Sequence, residues 1–222
     1  MRRTVSTALI LATFAVAPAA AQVGGLPVFN SGVNSGISLN FDYGMPNEVA
    51  GEGKSLGFTG GAALGPIGFT ATYASHTPDG ADAQSWLGAT ANLKMFGGPL
   101  IPISVNGQVG LGYASVDVGL PEDMKRVEIP VGVGIALNIP TPGVSIKPWI
   151  APRMQYSRTS GAVDDSETNF GISAGVNFGL VGGLNARIAY DYLNVDTASG
   201  DKPATLSIGV GYNFNVPVVP GI

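Results

Sequence analysis

The sequence predicts an all-β fold, a closed antiparallel barrel in which successive strands run up and down. Apolar and polar residues alternate over ten segments, as they do in strands whose two faces meet different surroundings. Glycine supplies 33 of the 222 residues, and it disfavours helices because each helical glycine costs about 1 kcal/mol relative to alanine. Charged residues make up only 12% of the chain, against about 25% in an average soluble domain.

The composition also excludes several classes of protein. With 45% hydrophobic residues, the chain is too apolar for intrinsic disorder. It contains no cysteine, which rules out a disulfide scaffold and a cysteine-based metal site. A formal net charge of −4 disfavours nucleic-acid binding. The length is that of a single domain.

The first 21 residues predict a secretory signal peptide. Two arginines precede a short apolar run, and the A-x-A pattern at 19–21 predicts cleavage before Gln22. An N-terminal membrane anchor is the alternative, but the apolar run is too short to cross a bilayer as a helix. We therefore expect the protein to be exported.

The ten alternating segments are long for a soluble protein. Most are about 9–11 residues or a little longer, which is the length that a tilted strand needs to cross a bilayer. Strands of soluble domains are usually nearer 5–6 residues. Ten strands are expected, with eight as the alternative. The predicted strands are 35–43, 55–64, 68–76, 86–96, 103–116, 127–139, 144–157, 168–179, 184–193 and 205–214.

The connections between these segments alternate in length and charge. Those after the even-numbered strands are short and uncharged: 65–67, 97–102, 140–143 and 180–183. Those after the odd-numbered strands are longer and polar: 44–54, 77–85, 117–126, 158–167 and 194–204. Twelve of the 15 acidic residues lie in this second set, namely Glu48, Glu52, Asp79, Asp82, Asp117, Glu122, Asp123, Asp164, Asp165, Glu167, Asp196 and Asp201. Short turns at one end and long loops at the other are typical of outer-membrane barrels, whose turns face the periplasm.

The last predicted strand carries a family resemblance. Its assembly-signal residues are Ser207, Gly209, Tyr212 and Phe214. This pattern resembles the C-terminal targeting signal of bacterial outer-membrane β-barrels, and the chain looks most similar to the small opacity-type or OmpA-type barrels. The resemblance implies a Gram-negative outer-membrane location. The implied partners are outer-membrane lipid, lipopolysaccharide and the barrel-assembly machinery.

The expected domain organisation follows from these assignments. It comprises a signal peptide (1–21), a short periplasmic N-terminal segment (22–34), a transmembrane barrel (35–214) and a short periplasmic tail (215–222). The family usually ends on the final aromatic residue, so the eight residues of the tail are a departure from its pattern.

The inward faces of the strands carry seven charged residues, which predict a lumenal charge network. Its members are Asp42, Glu128 and Asp191 toward the loop end, Lys94, Lys147 and Arg187 nearer the turn end, and Arg153 about midway. One interpretation is a filled interior, because side chains fill barrels of about eight strands. The other is a narrow polar path with a cationic constriction. Many inward glycines leave volume or permit tight strand curvature.

The expected function is non-enzymatic, with a structural, surface-adhesive or narrow, porin-like role. An outer-membrane hydrolase or acyltransferase that uses His76, the single histidine, is one alternative. A secreted soluble barrel that binds an apolar ligand is another. The sequence contains no metal-ligand spacing or cofactor motif, and it leaves the oligomeric state open.

Overall fold

A computed structural model of the chain describes residues 24–33, 35–98, 101–116, 123–161, 164–195, 197 and 200–214. The predicted signal peptide and the predicted tail after Phe214 lie outside these residues. Within the described part, no helix combines the length and the apolar character needed to cross a membrane.

Strands account for most of the described residues. They are β1 (Ile37–Pro46), β2 (Lys54–Leu64), β3 (Ile67–Thr77), β4 (Gln84–Gly98), β5 (Ile101–Val116), β6 (Met124–Leu137), β7 (Ile139–Thr141), β8 (Val144–Ser160), β9 (Asp165–Leu180), β10 (Leu184–Asn194) and β11 (Ala204–Phe214). Two single-turn 3-10 helices, Glu48–Ala50 and Val181–Gly183, lie in connections.

The strands form one closed antiparallel sheet. Neighbours in sequence pair with each other, β1 pairs with β11, and β6 pairs with β8. The three residues of β7 pair only with β8 and prolong the course of β6. Counting β6 and β7 as one position around the barrel, the barrel has ten strands, which confirms the predicted fold and its strand number. Apart from the short β7, every strand is paired on both sides, as a lipid environment requires.

The two faces of each strand differ as the alternation predicts. On β1, Leu39 and Phe41 are exposed on the outside of the barrel, whereas the adjacent Asp42 is buried in the lumen. Large exposed apolar side chains continue in this way around the barrel, as on β4 and β11. This phase suits a barrel surrounded by lipid and is the inverse of the one that a soluble ligand-binding barrel requires.

The sixth connection differs from the predicted one. We expected strand 127–139 followed by a turn at 140–143. Instead β6 ends at Leu137, and the amide of Asn138 donates to the carbonyl oxygen of Pro102 at 2.6 Å. The chain then pairs with β8 as β7, so the turn shrinks to two residues. Residues 139–141 stay extended because the first residues of β8, from Val144, pair with them, whereas the pairing between β5 and β6 ends at Leu137.

The N-terminal segment lies elsewhere than expected. Residues 24–33 were predicted to be part of a periplasmic extension, yet they run inside the lumen. Gly24 lies beside Trp86 at the loop end of the barrel, and Val33 lies beside Gly68 at the turn end. The segment carries no charge and four consecutive non-polar residues (LPVF), so burial against the wall removes apolar surface from water. We call residues 24–33 the lumenal segment.

Candidate functional site: a filled lumen

The lumenal segment makes two apolar contacts with the barrel wall. Near the loop end, Leu26 packs into a buried cluster with Ala74, Trp86 and Ala114. Farther along, Val28 and Phe29 join a second buried cluster, whose wall members are Ala136, Trp149, Ala151 and Ala189. In both clusters a single large wall residue, a tryptophan, is surrounded by alanines. The small residues leave room for the segment, and the indole rings supply its contact area.

Side-chain amides of the wall bind the backbone of the lumenal segment. Asn92 both accepts from the amide N–H of Val33, at 3.0 Å, and donates to its carbonyl oxygen, at 3.1 Å. Asn106 donates to the carbonyl oxygen of Ser31 at 3.0 Å, and Gln108 donates to that of Asn30 at 2.9 Å. These bonds satisfy backbone groups that no strand pairs with, which burial in the lumen requires.

A further amide links the segment to the opposite part of the wall. Asn177 donates to the hydroxyl oxygen of Ser31 at 3.1 Å and accepts from the indole N–H of Trp149 at 3.1 Å. Residues on β4, β5 and β9 therefore hold the same short stretch of chain.

Glycines set the fit between the segment and the wall. Gly25 and Gly32 have φ angles of 72° and 77°, a region that other residues rarely adopt. A Cβ at Gly25 would overlap the hydroxyl of Ser55, and one at Gly32 would lie 3.1 Å from the side chain of Asn106. On the wall, a Cβ at Gly57 would overlap Leu26. Inward glycine thus provides volume that the segment occupies.

A connected polar network also lies in the lumen. The Arg153 guanidinium binds the Asp191 carboxylate through two nitrogens, at 2.7 and 3.1 Å, and donates to Ser173 at 3.0 Å. Its Nε donates to Gln155 at 3.1 Å, and Gln155 in turn donates to Glu128 at 3.2 Å. All five side chains are buried. Four strands, β6, β8, β9 and β10, are thereby cross-linked inside the barrel.

The remaining predicted network residues are one separate ion pair and two lysines outside it. Arg187 donates to both carboxylate oxygens of Asp42, with its Nε at 2.5 Å from Oδ1. Lys94 and Lys147 are half-buried near the turn end, and neither forms an ion pair within the described residues. The seven predicted residues thus divide into a buried network, one pair and two lysines.

The single histidine contacts a serine at the loop end of the lumen. Nδ1 of His76 lies 2.9 Å from the hydroxyl oxygen of Ser55, and both residues are buried. Gly25 covers Ser55, with no room for even a Cβ between them. The two side chains have the contact of a nucleophile and a base, but the lumenal segment closes access to them.

At the loop end of the barrel, Asn47 connects two loops through its side chain. Its side chain accepts from the amides of Ala50 and Ala204, at 3.0 and 3.1 Å, and donates to the carbonyl oxygen of Lys202 at 2.9 Å. These bonds join the first and last loops above the seam between β1 and β11.

An open cleft of about 760 Å³ lies between the first two loops. Tyr43, Glu52, Lys54, Asp79 and Asp82 supply its polar lining. Among the described residues, no group of three histidine, aspartate or glutamate side chains is arranged to hold a metal ion.

The residues predicted to form the assembly signal occupy both faces of β11. Ser207 is buried in the lumen, and Gly209 leaves room for the carboxylate of Asp42. Tyr212 and Phe214 are exposed on the outside, where their rings meet edge to face with centroids 4.7 Å apart.

Several residues of the filled lumen were not predicted as site residues. They are the lumenal segment itself and the wall residues Asn92, Asn106, Gln108, Gln155, Ser173 and Asn177. One signal was present: a segment with the residues GGLPVFN is too apolar for a solvated extension. The inward amides were visible as polar positions, but their partners were not.

Comparison with solved structures finds barrels of the outer membrane. The β domain of the Bordetella autotransporter BrkA is 13% identical, with a TM-score of 0.51, over 82% of this chain and all of that one. Neisserial surface protein A is 16% identical, with a TM-score of 0.42, over 81% of this chain and 98% of that one. Ail, the attachment invasion locus protein of Yersinia pestis, is 13% identical, with a TM-score of 0.37, over 82% of this chain and all of that one.

The family assignment rests on the sequence itself. No curated protein matches the chain significantly. Residues 6–214, however, match the family described as "Outer membrane protein beta-barrel domain", and this match includes every strand of the closed barrel. The resemblance inferred from the last strand is thereby confirmed, and the protein belongs to the outer-membrane β-barrel family.

Proposed function

We propose that the protein is a closed outer-membrane barrel that does not conduct in its resting form and that acts at the cell surface through its loops. The observation that carries this proposal is that the lumenal segment and the Arg153 network both occupy the interior of the barrel. Because the segment occupies the volume that inward glycines and alanines leave free, no continuous aqueous path is expected.

The route to the membrane is part of the proposal. Residues 1–21 direct export and are removed, and the barrel-assembly machinery inserts the chain through the signal in β11. Outer-membrane lipid then surrounds the apolar exterior. Lipopolysaccharide is expected to contact the loop end, where divalent cations would bridge its phosphates to exposed carboxylates.

The surface role rests on the charge of the loop end. Among the residues that the structure describes, its exposed acidic residues are Glu48, Glu52, Asp79, Asp82, Asp123, Asp164, Asp165 and Asp201, whereas its exposed cations are Lys54, Lys125 and Arg158. Excess negative charge on one face favours cationic partners and cationic surfaces, and salt screens such attraction over about 10 Å at 0.1 M.

Conductance tests the closed barrel. The full-length protein, reconstituted in planar bilayers, is expected to show no stable conductance steps under conditions where an open 16-stranded porin shows them. Regular steps from the wild-type protein would contradict the proposal and would favour the narrow-pore alternative.

Attachment tests the surface role. Cells that display the triple variant Glu52→Gln, Asp79→Asn, Asp82→Asn should bind an amine-coated surface less well than cells with the wild-type protein. Lys54→Gln, which makes the same cleft more negative, should bind better. Equal attachment of all three would argue against a role for the acidic cleft.

A second candidate is a hydrolase, which the contact between Ser55 and His76 favours. It requires the lumenal segment to withdraw, because Gly25 covers the serine. Cleavage of a short ester by the wild-type protein, lost in both Ser55→Ala and His76→Ala, would establish this activity. An equal rate in either variant would remove it.

A further inference from the structure

The lumenal segment is bound by the barrel without being part of its sheet. Residues 24–33 pair with no strand, and they carry no charge. We propose that the lumen face of the barrel is a binding site for an extended, uncharged peptide, with polar contacts on β4, β5 and β9 and an aromatic pocket on β6, β8 and β10. Residues 24–33 are its resident, exchangeable occupant. This inference rests on the proposed closed barrel and adds to it a ligand class and a way of opening.

Recognition of the peptide backbone is the first support for a built site. Three wall amides meet three backbone positions in order, with Gln108 at Asn30, Asn106 at Ser31 and Asn92 at Val33. Asn92, Asn106 and Gln108 are themselves buried. A side chain that reads both the N–H and the C=O of one residue recognises an extended chain, whatever that residue's side chain is.

Shape supplies the sequence preference. The ring of Phe29 is buried among alanines and Trp149, which calls for an aromatic residue at that position. Gly32 has a positive φ and packs against the side chain of Asn106. Gly25 packs against Ser55, and a Cβ added at Gly25 would lie 2.9 Å from the side chain of Pro46. The preferred ligand is therefore an uncharged peptide with an aromatic residue between two glycines.

Exchange is expected because side-chain contacts, and not pairing with a strand, hold the segment. Segments without backbone hydrogen bonds to a neighbouring strand unfold locally more readily than the strands around them. One covalent link, at its C-terminal end, joins the segment to β1, so its withdrawal leaves the ten-stranded wall intact. An emptied wall would expose the same amides to a second peptide.

The test expels the resident segment from the full-length protein and supplies it again as a separate peptide. Gly25→Trp cannot fit beside Ser55 and should convert the closed barrel into a conducting one. A synthetic peptide of residues 22–36 should then lower that conductance in a dose-dependent way. The same peptide with Phe29→Ala should block at least tenfold less well. Gly80→Trp is the matched control, because Gly80 has a φ of 74° and an added Cβ would meet nothing within 4 Å.

Wall variants identify the site of the peptide. In the Gly25→Trp background, Asn92→Ala or Gln108→Ala should raise the half-blocking peptide concentration by about tenfold, as loss of buried hydrogen bonds implies. If Gly25→Trp conducts and the peptide never blocks it, the binding-site proposal is overturned while the closed barrel stands. If the wild-type protein conducts, the closed barrel itself fails.

A second measurement does not depend on that variant folding. Heat-modifiable migration shows whether the Gly25→Trp variant folds. If it does not fold, Gly32→Trp takes its place in the conductance experiment. In the wild-type protein, hydrogen exchange should be faster for the amides of residues 24–33 than for those of β4 and β5. Exchange of the segment only together with the strands would show that it is a fixed part of the fold, and would overturn the proposal.

Discussion

Arg153 is a charged side chain in the centre of a barrel, where water does not reach it. Its charge is tolerated because Asp191 neutralises it directly and because Ser173 and Gln155 accept further hydrogen bonds. Buried ion pairs are strongly destabilised by removal of one partner, since the other charge is then left unpaired. At the scale of one residue, Arg153 is therefore the position on which the buried network depends most.

Replacing Arg153 by methionine should lower the free energy of unfolding by about 3–5 kcal/mol, because Asp191 is left buried and unpaired. The measurement is a urea titration in lipid vesicles, followed by heat-modifiable migration. Arg158→Met on the same strand is the control, because Arg158 is exposed, and it should change stability by less than about 1 kcal/mol. Equal effects of the two substitutions would mean that the network does not stabilise the barrel.

At the scale of an element, β11 is the strand that closes the barrel. It pairs with β10 on one side and with β1 on the other, where Phe214 lies opposite Ile37 and Tyr212 opposite Leu39. Its outward aromatic residues lie at the turn end, where barrels of this kind carry an aromatic girdle. The strand thus combines a role in closure with the proposed role in recognition by the assembly machinery.

If β11 carries the assembly signal, the effect of losing an exposed phenylalanine on membrane insertion should depend on which strand it lies in. Phe214→Ser should reduce the fraction of newly made protein that reaches the folded, heat-modifiable form in the outer membrane. Phe170→Ser removes a similarly exposed phenylalanine from β9 and should have a smaller effect on that fraction. Purified Phe214→Ser should still refold in detergent, because the defect lies in recognition. Indistinguishable insertion of the two variants would count against a signal in β11.

At the scale of the whole molecule, the barrel is a polar interior enclosed by an apolar exterior. Its ion pairs and amide contacts point inward, and large apolar side chains point outward at mid-height on strands around the circumference. This arrangement suits lipid, which solvates apolar side chains and offers no partner for charge.

A charge placed on the apolar exterior should therefore be costly, and the cost should depend on depth. Val131 lies in the middle of β6, whereas Leu184 begins β10, and both are 54% exposed. Val131→Arg should destabilise the barrel in vesicles by about 2–4 kcal/mol, and Leu184→Arg by about 0–1 kcal/mol. Denaturant titration of both variants measures the difference. Similar costs at the two depths would contradict the predicted membrane span.

Much of the fold could be derived from the sequence, because it depends on local periodicity. Alternation shows which side chains of a strand share a face. The sorting of charge into alternate connections shows which connections lie at the same end of the barrel. The ten strands, their boundaries within a few residues and the outward position of Leu39, Phe41 and Phe214 all follow from such patterns.

The contents of the lumen depend on closure, which brings together residues far apart in the chain. Asp42 meets Arg187 from 145 positions away, and Gln108 meets Asn30 from 78. No local pattern shows which inward groups lie at the same height on opposite walls. The lumenal segment is the extreme case. Its apolar residues are visible in the sequence, but only the closed barrel, with glycines and alanines lining the lumen, offers the cavity that removes them from water.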